Sequence, residues 1–240
     1  MNPLSGVLSE AWDLYKRHAA HFLLISFVIF LVVAAVSALL SAVFGGFGSF
    51  LAEILTVFGM FLLQAALVKA VQDVRDGRAD LSVRDTVSTV LPVLGAVALA
   101  SILASIAITI GFFLIIVPGL VLVTFLSLIV PCIVIGQTGA LPSFSKSWRT
   151  VSGYGWHVFG TYVVLFLVLI VAEIVLSLVL LALPDALRSF ISSVVSGTLV
   201  APFIAAVVTL MYYRLTAAHG AESEPETAAS PGSPWGQEAP

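Results

Sequence analysis

Six stretches of the chain, roughly residues 22–44, 50–72, 91–116, 119–136, 157–183 and 190–214, are apolar almost without interruption. Each is near or above the ~18–20 residues a helix needs to cross about 30 Å of hydrocarbon. Their continuity excludes barrel strands, which alternate in polarity and run only about ten residues. With 60% hydrophobic and 10% charged residues, the 240-residue chain has too little polar surface to cover a water-soluble domain. The expected fold class is therefore all-α: a polytopic transmembrane helical bundle of about six spans, with amphipathic interfacial helices on its cytoplasmic side. Residues 1–216 form the membrane domain. Residues 217–240, rich in Glu, Pro, Ser, Gly and Ala around an isolated Trp235, read as a disordered cytoplasmic tail. The first span is too long, and lies too far behind Glu10 and Asp13, for a cleaved signal peptide.

Orientation follows from the ten Lys and Arg residues. Threading the six stretches from an inner N-terminus places Lys16, Arg17, Lys69, Arg75, Arg78, Arg84, Lys146, Arg149 and Arg214 on one side and Arg188 alone on the other. Cytoplasmic loops carry the excess of basic residues, so both termini are expected in the cytoplasm of a multi-pass cell-membrane protein. Trp12, Tyr15, Trp148, Tyr154, Trp156, Tyr212 and Tyr213 fall at the same boundary, where aromatic rings anchor spans; Trp12, Trp148 and Trp156 are the expected interfacial anchors. The outer turns are the uncharged 45–49 segment and a tight turn at Pro118 and Gly119, where Pro118 stops a helix and Gly119 supplies a positive φ.

Two segments at the inner boundary are amphipathic at helical spacing. Residues 4–18 align Leu4, Val7, Leu8, Ala11 and Leu14 against Glu10, Asp13, Lys16 and Arg17, and residues 140–152 align Leu141, Phe144, Trp148 and Val151 against Ser145, Lys146, Arg149 and Ser152. A shorter third candidate covers 81–90. Each precedes a pair of spans, which suggests three parallel repeats; an offset of 136 aligns Trp12 with Trp148, His21 with His157 and Phe30 with Phe166.

Ionisable groups inside hydrocarbon are costly and mark candidate sites. Glu173 lies about 24 Å from the inner end and about 15 Å from the outer end of its span at 1.5 Å per residue, on one helical face with Tyr162 and Ser177. Glu53 stands near the outer end of span two, with Gln64 on the same face. Pro131 and Pro202 remove backbone donors within spans and are expected to kink them, shaping a cavity between hairpins. Ala96, Ala100 and Ala104, beside Ser101 and Ser105, mark span three as the central packing helix.

Several motifs resemble a known family. Phe113-Leu114-Ile115-Ile116-Val117-Pro118-Gly119-Leu120, then Val130-Pro131, then Ala140-Leu141 and Ser145-Lys146-Ser147-Trp148 look like the membrane-domain family named for glycerophosphoryl diester phosphodiesterases. Glu10 to Lys16, Pro202-Phe203 and Tyr212-Tyr213-Arg214 extend the likeness over about residues 5–216. The resemblance implies a six-span integral membrane protein. Some members of that family are fused to a soluble phosphodiesterase barrel, for which ~250 residues are needed; none is expected here, and phosphodiesterase activity is not implied.

No nucleophile elbow, phosphate loop or metalloprotease helix occurs, so no enzymatic activity is expected. The net charge of −3 argues against a nucleic-acid partner. Cys132 is alone and His18, His21, His157 and His219 do not cluster, so neither metal nor cofactor is expected. The partners implied are membrane lipids and other membrane proteins. Two readings of function follow: a non-enzymatic component that organises lipids or partner proteins, and, as the alternative, a transporter or permease for a lipid or small amphiphile that uses Glu173.

Overall fold

A computed structural model describes residues 3–77, 82–182, 184 and 196–223. Their regular elements are all helical: α1 (Val7–Arg17), α2 (Ala19–Arg75), α3 (Val83–Leu114), α4 (Ile116–Leu126), α5 (Ile129–Val134), α6 (Ala140–Val151), α7 (Gly155–Val179) and α8 (Ala201–Ser223). Five helical segments are long and apolar enough to span a membrane: Ala19–Arg75, Val83–Leu114, Ile116–Val134, Gly155–Val179 and Thr198–Gly220. The first of these folds back on itself at Gly45, whose φ of 56° and ψ of −131° are not helical. Ser37 Oγ donates to the Ala52 carbonyl at 3.4 Å, and a Cβ on Gly59 would press on Val33, so the arms 19–44 and 46–75 lie side by side. A Cβ on Gly48 would run into the Leu40 carbonyl; only glycine lets the arms close this tightly. The six apolar runs thus become six passes. Arg78, Arg188 and the first residues of the sixth run, 190–195, lie outside the described residues.

The second outer turn differs from the sequence expectation. It is made at Ile115, which is extended at φ −161° and ψ 149°. Pro118 sits in the first turn of α4, where its missing N–H is not needed. Gly119 is helical, and a Cβ there would meet the Phe112 ring at 2.5 Å, while one on Gly111 would meet the Gly119 Cα at 3.1 Å. The glycine is required for close helix approach, not for a positive φ.

Span three packs against α2, α4, α5 and α6. Its Val97, Ala100 and Ala104 are buried, but on one side only, in a cluster with Ala65, Val68, Leu126 and Ile129. The second arm of α2 joins this cluster to the other, which holds Leu63, Ala66, Leu67, Ala70 and Val71 together with α1 and α8. Its residues 65–68, 70 and 71 are all buried. Over this stretch the arm is buried on every side, and its small alanines let neighbours approach from both sides, while Ile54, Val57, Phe58 and Met60 earlier in the arm are exposed.

The two amphipathic helices form as expected but use opposite faces. In α1 the apolar residues Leu4, Val7 and Ala11 are buried against the bundle, so this face meets protein, not lipid. Its contacts run along α8: Trp12 and Tyr15 meet Phe203 at ring distances of 5.8 and 6.3 Å, and Glu10 pairs with Arg214. In α6 the buried residues are Ser143, Ser147 and Val151, while Leu141 and Trp148 are exposed. The segment 83–90 is no separate helix: Ser82 caps α3 by accepting from the Asp85 N–H at 3.2 Å, and the helix runs on through it into the span. Of the pairs aligned at an offset of 136, Trp12 and Trp148 are both exposed, whereas Phe30 lines a cavity and Phe166 is exposed.

The boundary of the tail moves as well. α8 continues to Ser223 because His219 is held, its Nδ1 2.9 Å from the Leu215 carbonyl and its Nε2 3.2 Å from that of Ser152, with Tyr154 edge-on to the ring. Residues 217–223 are therefore helical. Trp235 lies outside the described residues.

Candidate functional site

The fourth pass is interrupted at mid-depth. α4 ends at Leu126 and α5 begins at Ile129, and Pro131 has no N–H to offer the Ser127 carbonyl four residues back. Such a break in hydrocarbon needs replacement partners. The buried Ser147 of α6 supplies them: its Oγ donates to the Phe125 carbonyl at 2.7 Å and accepts from the Leu128 N–H at 3.3 Å. Trp148 stacks on Phe125 from outside, 4.3 Å between ring centres. The Ser127 hydroxyl donates to the Thr124 carbonyl at 2.8 Å, and the Tyr162 hydroxyl of α7 lies beside it. The α6 serines face inward for this reason.

Beside the break lies a cavity of about 620 Å³, walled by the two arms of α2 and by α3, α4, α5, α7 and α8. Its deep end is apolar, with Leu67, Val68, Ile129 and Val208. Gln64, Ser127 and Tyr162 form a polar belt halfway along. Gln64 stands eleven residues before Arg75, or about 16 Å along the helix, which puts the belt near the middle of the bundle. Met60, Gln64 and Ser105 of the lining are themselves exposed, so the cavity opens along these residues toward the half away from the basic end. No described lining residue is charged.

The sequence-predicted site residues divide accordingly. Gln64, Tyr162 and Pro131 line the cavity. Glu173, Ser177 and Glu53 do not; all three are exposed on helix surfaces, and the shared face of Glu173 and Tyr162 does not continue into one site. Tyr162 is turned to the break beside Ser127, whereas α7 contributes only Val158 and Leu165 to the described core. Pro202 sits where the π-helical turn Ser196–Val200 passes into α8, and the wider turn accommodates its missing donor. Trp12, Trp148 and Trp156 are exposed, Trp156 to 85%. Ser127, a single serine in an apolar run, carries no pattern in the sequence; Ser147 stands out there only within the Ser145–Trp148 motif, and Ser101 and Ser105 only as small residues for helix packing.

A second cluster closes the end of the bundle at which the basic residues gather. Arg214 donates to the Pro3 carbonyl at 3.3 Å, to that of Ser5 at 2.5 Å and to Glu10. The Arg75 guanidinium lies 3.6 Å from the centre of the Tyr213 ring, a cation–π contact. Lys146 Nζ donates to the Gly136 carbonyl at 3.2 Å, where the chain turns through Gln137 at a φ of 48°. Burial raises the Tyr15 phenol above its ordinary value; its hydroxyl has no hydrogen-bond partner among the described residues. The N-terminal segment, the end of α2 and the end of α8 are thus fastened together, and the two terminal motifs, Glu10 to Lys16 and Phe203 to Arg214, meet in space.

Residues 7–217 match the family described as a domain of unknown function (DUF7847). The chain belongs to this family. The DUF7847 match begins at the first residue of α1 and ends three residues past Arg214, so it takes in the fastening of α1 to α8 and all of the described spans but the last three residues of Thr198–Gly220. No curated protein and no solved structure matches the chain. Membership of DUF7847 brings no link to glycerophosphoryl diester phosphodiesterases, and the likeness to their membrane domains stands on the motif residues alone. Among the described residues no three of His, Cys, Asp and Glu gather as metal ligands.

Proposed function

We propose that the protein is a non-enzymatic component of the cell membrane, with both termini cytoplasmic, that organises its surroundings by holding a lipid in its central cavity. The observation that carries this reading is the 620 Å³ space itself. Its size falls within the roughly 300–1,000 Å³ of small-molecule sites, and like them it is mostly apolar with a few convergent polar groups. Exposed Trp12, Trp148 and Trp156 suit anchoring at one headgroup layer. The basic residues at that end support the cytoplasmic assignment. The membrane-domain likeness is consistent with this reading and adds no chemistry to it.

The test is lipid retention by purified full-length protein in mild detergent, read by native mass spectrometry. Wild type is expected to keep about one lipid per chain through delipidating washes. Ser105→Phe, which fills the mouth from an exposed position, should lose it. Retention unchanged by Ser105→Phe, or none in wild type, refutes the proposal. A permease reading no longer has Glu173 in the cavity, so Glu173→Ala should leave retention unchanged. Lipid flux across proteoliposomes that Glu173→Ala abolishes would revive it.

A further inference from the structure

We infer that the cavity takes a neutral single-chain amphiphile whose uncharged polar group, a hydroxyl or a carbonyl, pairs with Gln64 halfway through the membrane. This rests on the lipid-holding reading and goes on to name what is held. Charge decides first. A carboxylate or phosphate drawn to this depth would lose its hydration, and no described lining residue offers a cation in exchange. Lys69, the nearest basic residue along the same arm, does not line the cavity and donates instead to Gln72 at 2.9 Å.

The unpaired group decides next. The Gln64 carboxamide is exposed on the cavity wall, about 16 Å from Arg75, and forms no hydrogen bond to any described residue. Ser127, another member of the belt, already donates to the Thr124 carbonyl at 2.8 Å, and the Tyr162 hydroxyl lies beside it. An unpaired amide in an apolar space is costly, and the walls here are too apolar to favour a full complement of water. A phospholipid acyl tail would fill the volume and leave Gln64 unpaired. A chain ending in a hydroxyl or carbonyl fills the same volume and pairs it. Entry is from the outer half, past Met60 and Ser105.

The test uses full-length protein in phosphatidylcholine vesicles and three photoactivatable probes: a long-chain alcohol, the matching fatty acid, and phosphatidylcholine with the photoreactive group in one acyl chain. The alcohol is expected to label peptides of α2 and α3 that line the cavity most strongly, and Gln64→Met to weaken that labelling about three- to tenfold, the effect of one hydrogen bond. On wild-type protein, unlabelled hexadecanol should compete with the probe and hexadecane should not, a comparison that needs no variant to fold. Equal labelling by phosphatidylcholine, stronger labelling by the fatty acid, or equal competition by hexadecane overturns the inference while leaving a lipid-holding cavity in place. If no probe labels the cavity, the lipid-holding reading falls and takes the inference with it.

Discussion

Ser147→Ala should destabilise the bundle far more than its size suggests. The side chain is fully buried and bridges both sides of the α4–α5 break, donating to the Phe125 carbonyl and accepting from the Leu128 N–H. Alanine is close to serine in size but leaves the Phe125 carbonyl and the Leu128 N–H without that partner where water is scarce. Intramembrane hydrogen bonds average about 0.6 kcal/mol by double-mutant cycles, with a maximum near 1.7. Orphaned buried groups cost about 1–3 kcal/mol each. Two such groups, partly relaxed, place the expected loss near 2 kcal/mol, about thirtyfold in the folding equilibrium. The assay is reversible unfolding of purified protein in mixed micelles of mild detergent and sodium dodecyl sulfate, followed by Trp fluorescence. Ser145→Ala, on the exposed side of the same helix, is the control and should change stability by less than about 0.5 kcal/mol. Equal effects of the two substitutions would refute the view that Ser147 substitutes for the broken helix.

Three further outcomes are expected. Gly48→Ala should cost about 1–3 kcal/mol in the same assay, because its Cβ meets the Leu40 backbone, whereas Gly46→Ala, with open space around it, should be tolerated within about 0.5–1 kcal/mol. Arg214→Ala should free residues 3–17, read as faster amide exchange in that segment, while Glu10→Gln keeps an acceptor oxygen, removes only the charge and should do less; the partly exposed ion pair itself is worth no more than about 1 kcal/mol. In a Cys132→Ser background, a cysteine at Arg84 should react with an impermeant thiol reagent only from the cytoplasmic side and one at Gly46 only from the outside; labelling of position 84 from outside would reverse the orientation.

The polar residues show where sequence reading stopped. Glu173 stood out in the sequence because a carboxylate inside an apolar run is conspicuous, yet it is exposed and away from the cavity. Ser147, which holds the break, was read only as part of a motif and as a neighbour of Lys146. Gln64 is legible as a polar residue within a span and Tyr162 as a member of a face, but the cavity that both line joins α2 and α7, residues almost a hundred positions apart. Pro131 was legible as a kink and became part of one. Pro118 and Gly119 were rightly assigned to the outer end of a hairpin and wrongly assigned the turn, since a helical glycine chosen for close approach has the same letter as one chosen for positive φ.

By itself the sequence determined the all-helical class, the six passes, the fold-back at Gly45 and the gathering of both ends of the membrane domain at the basic end. It could do so because lipid admits only long apolar helices that satisfy their own backbones, and length and charge placement are linear properties. Only the tertiary structure decided which side of each helix faces inward. In water an apolar stripe points to the core, but in a bilayer the outside is as apolar as the inside, and the stripe loses its direction. α6 makes the consequence plain: its serines are buried and its Leu141 and Trp148 face out, a choice fixed by the broken backbone of α4 and α5 that those serines complete.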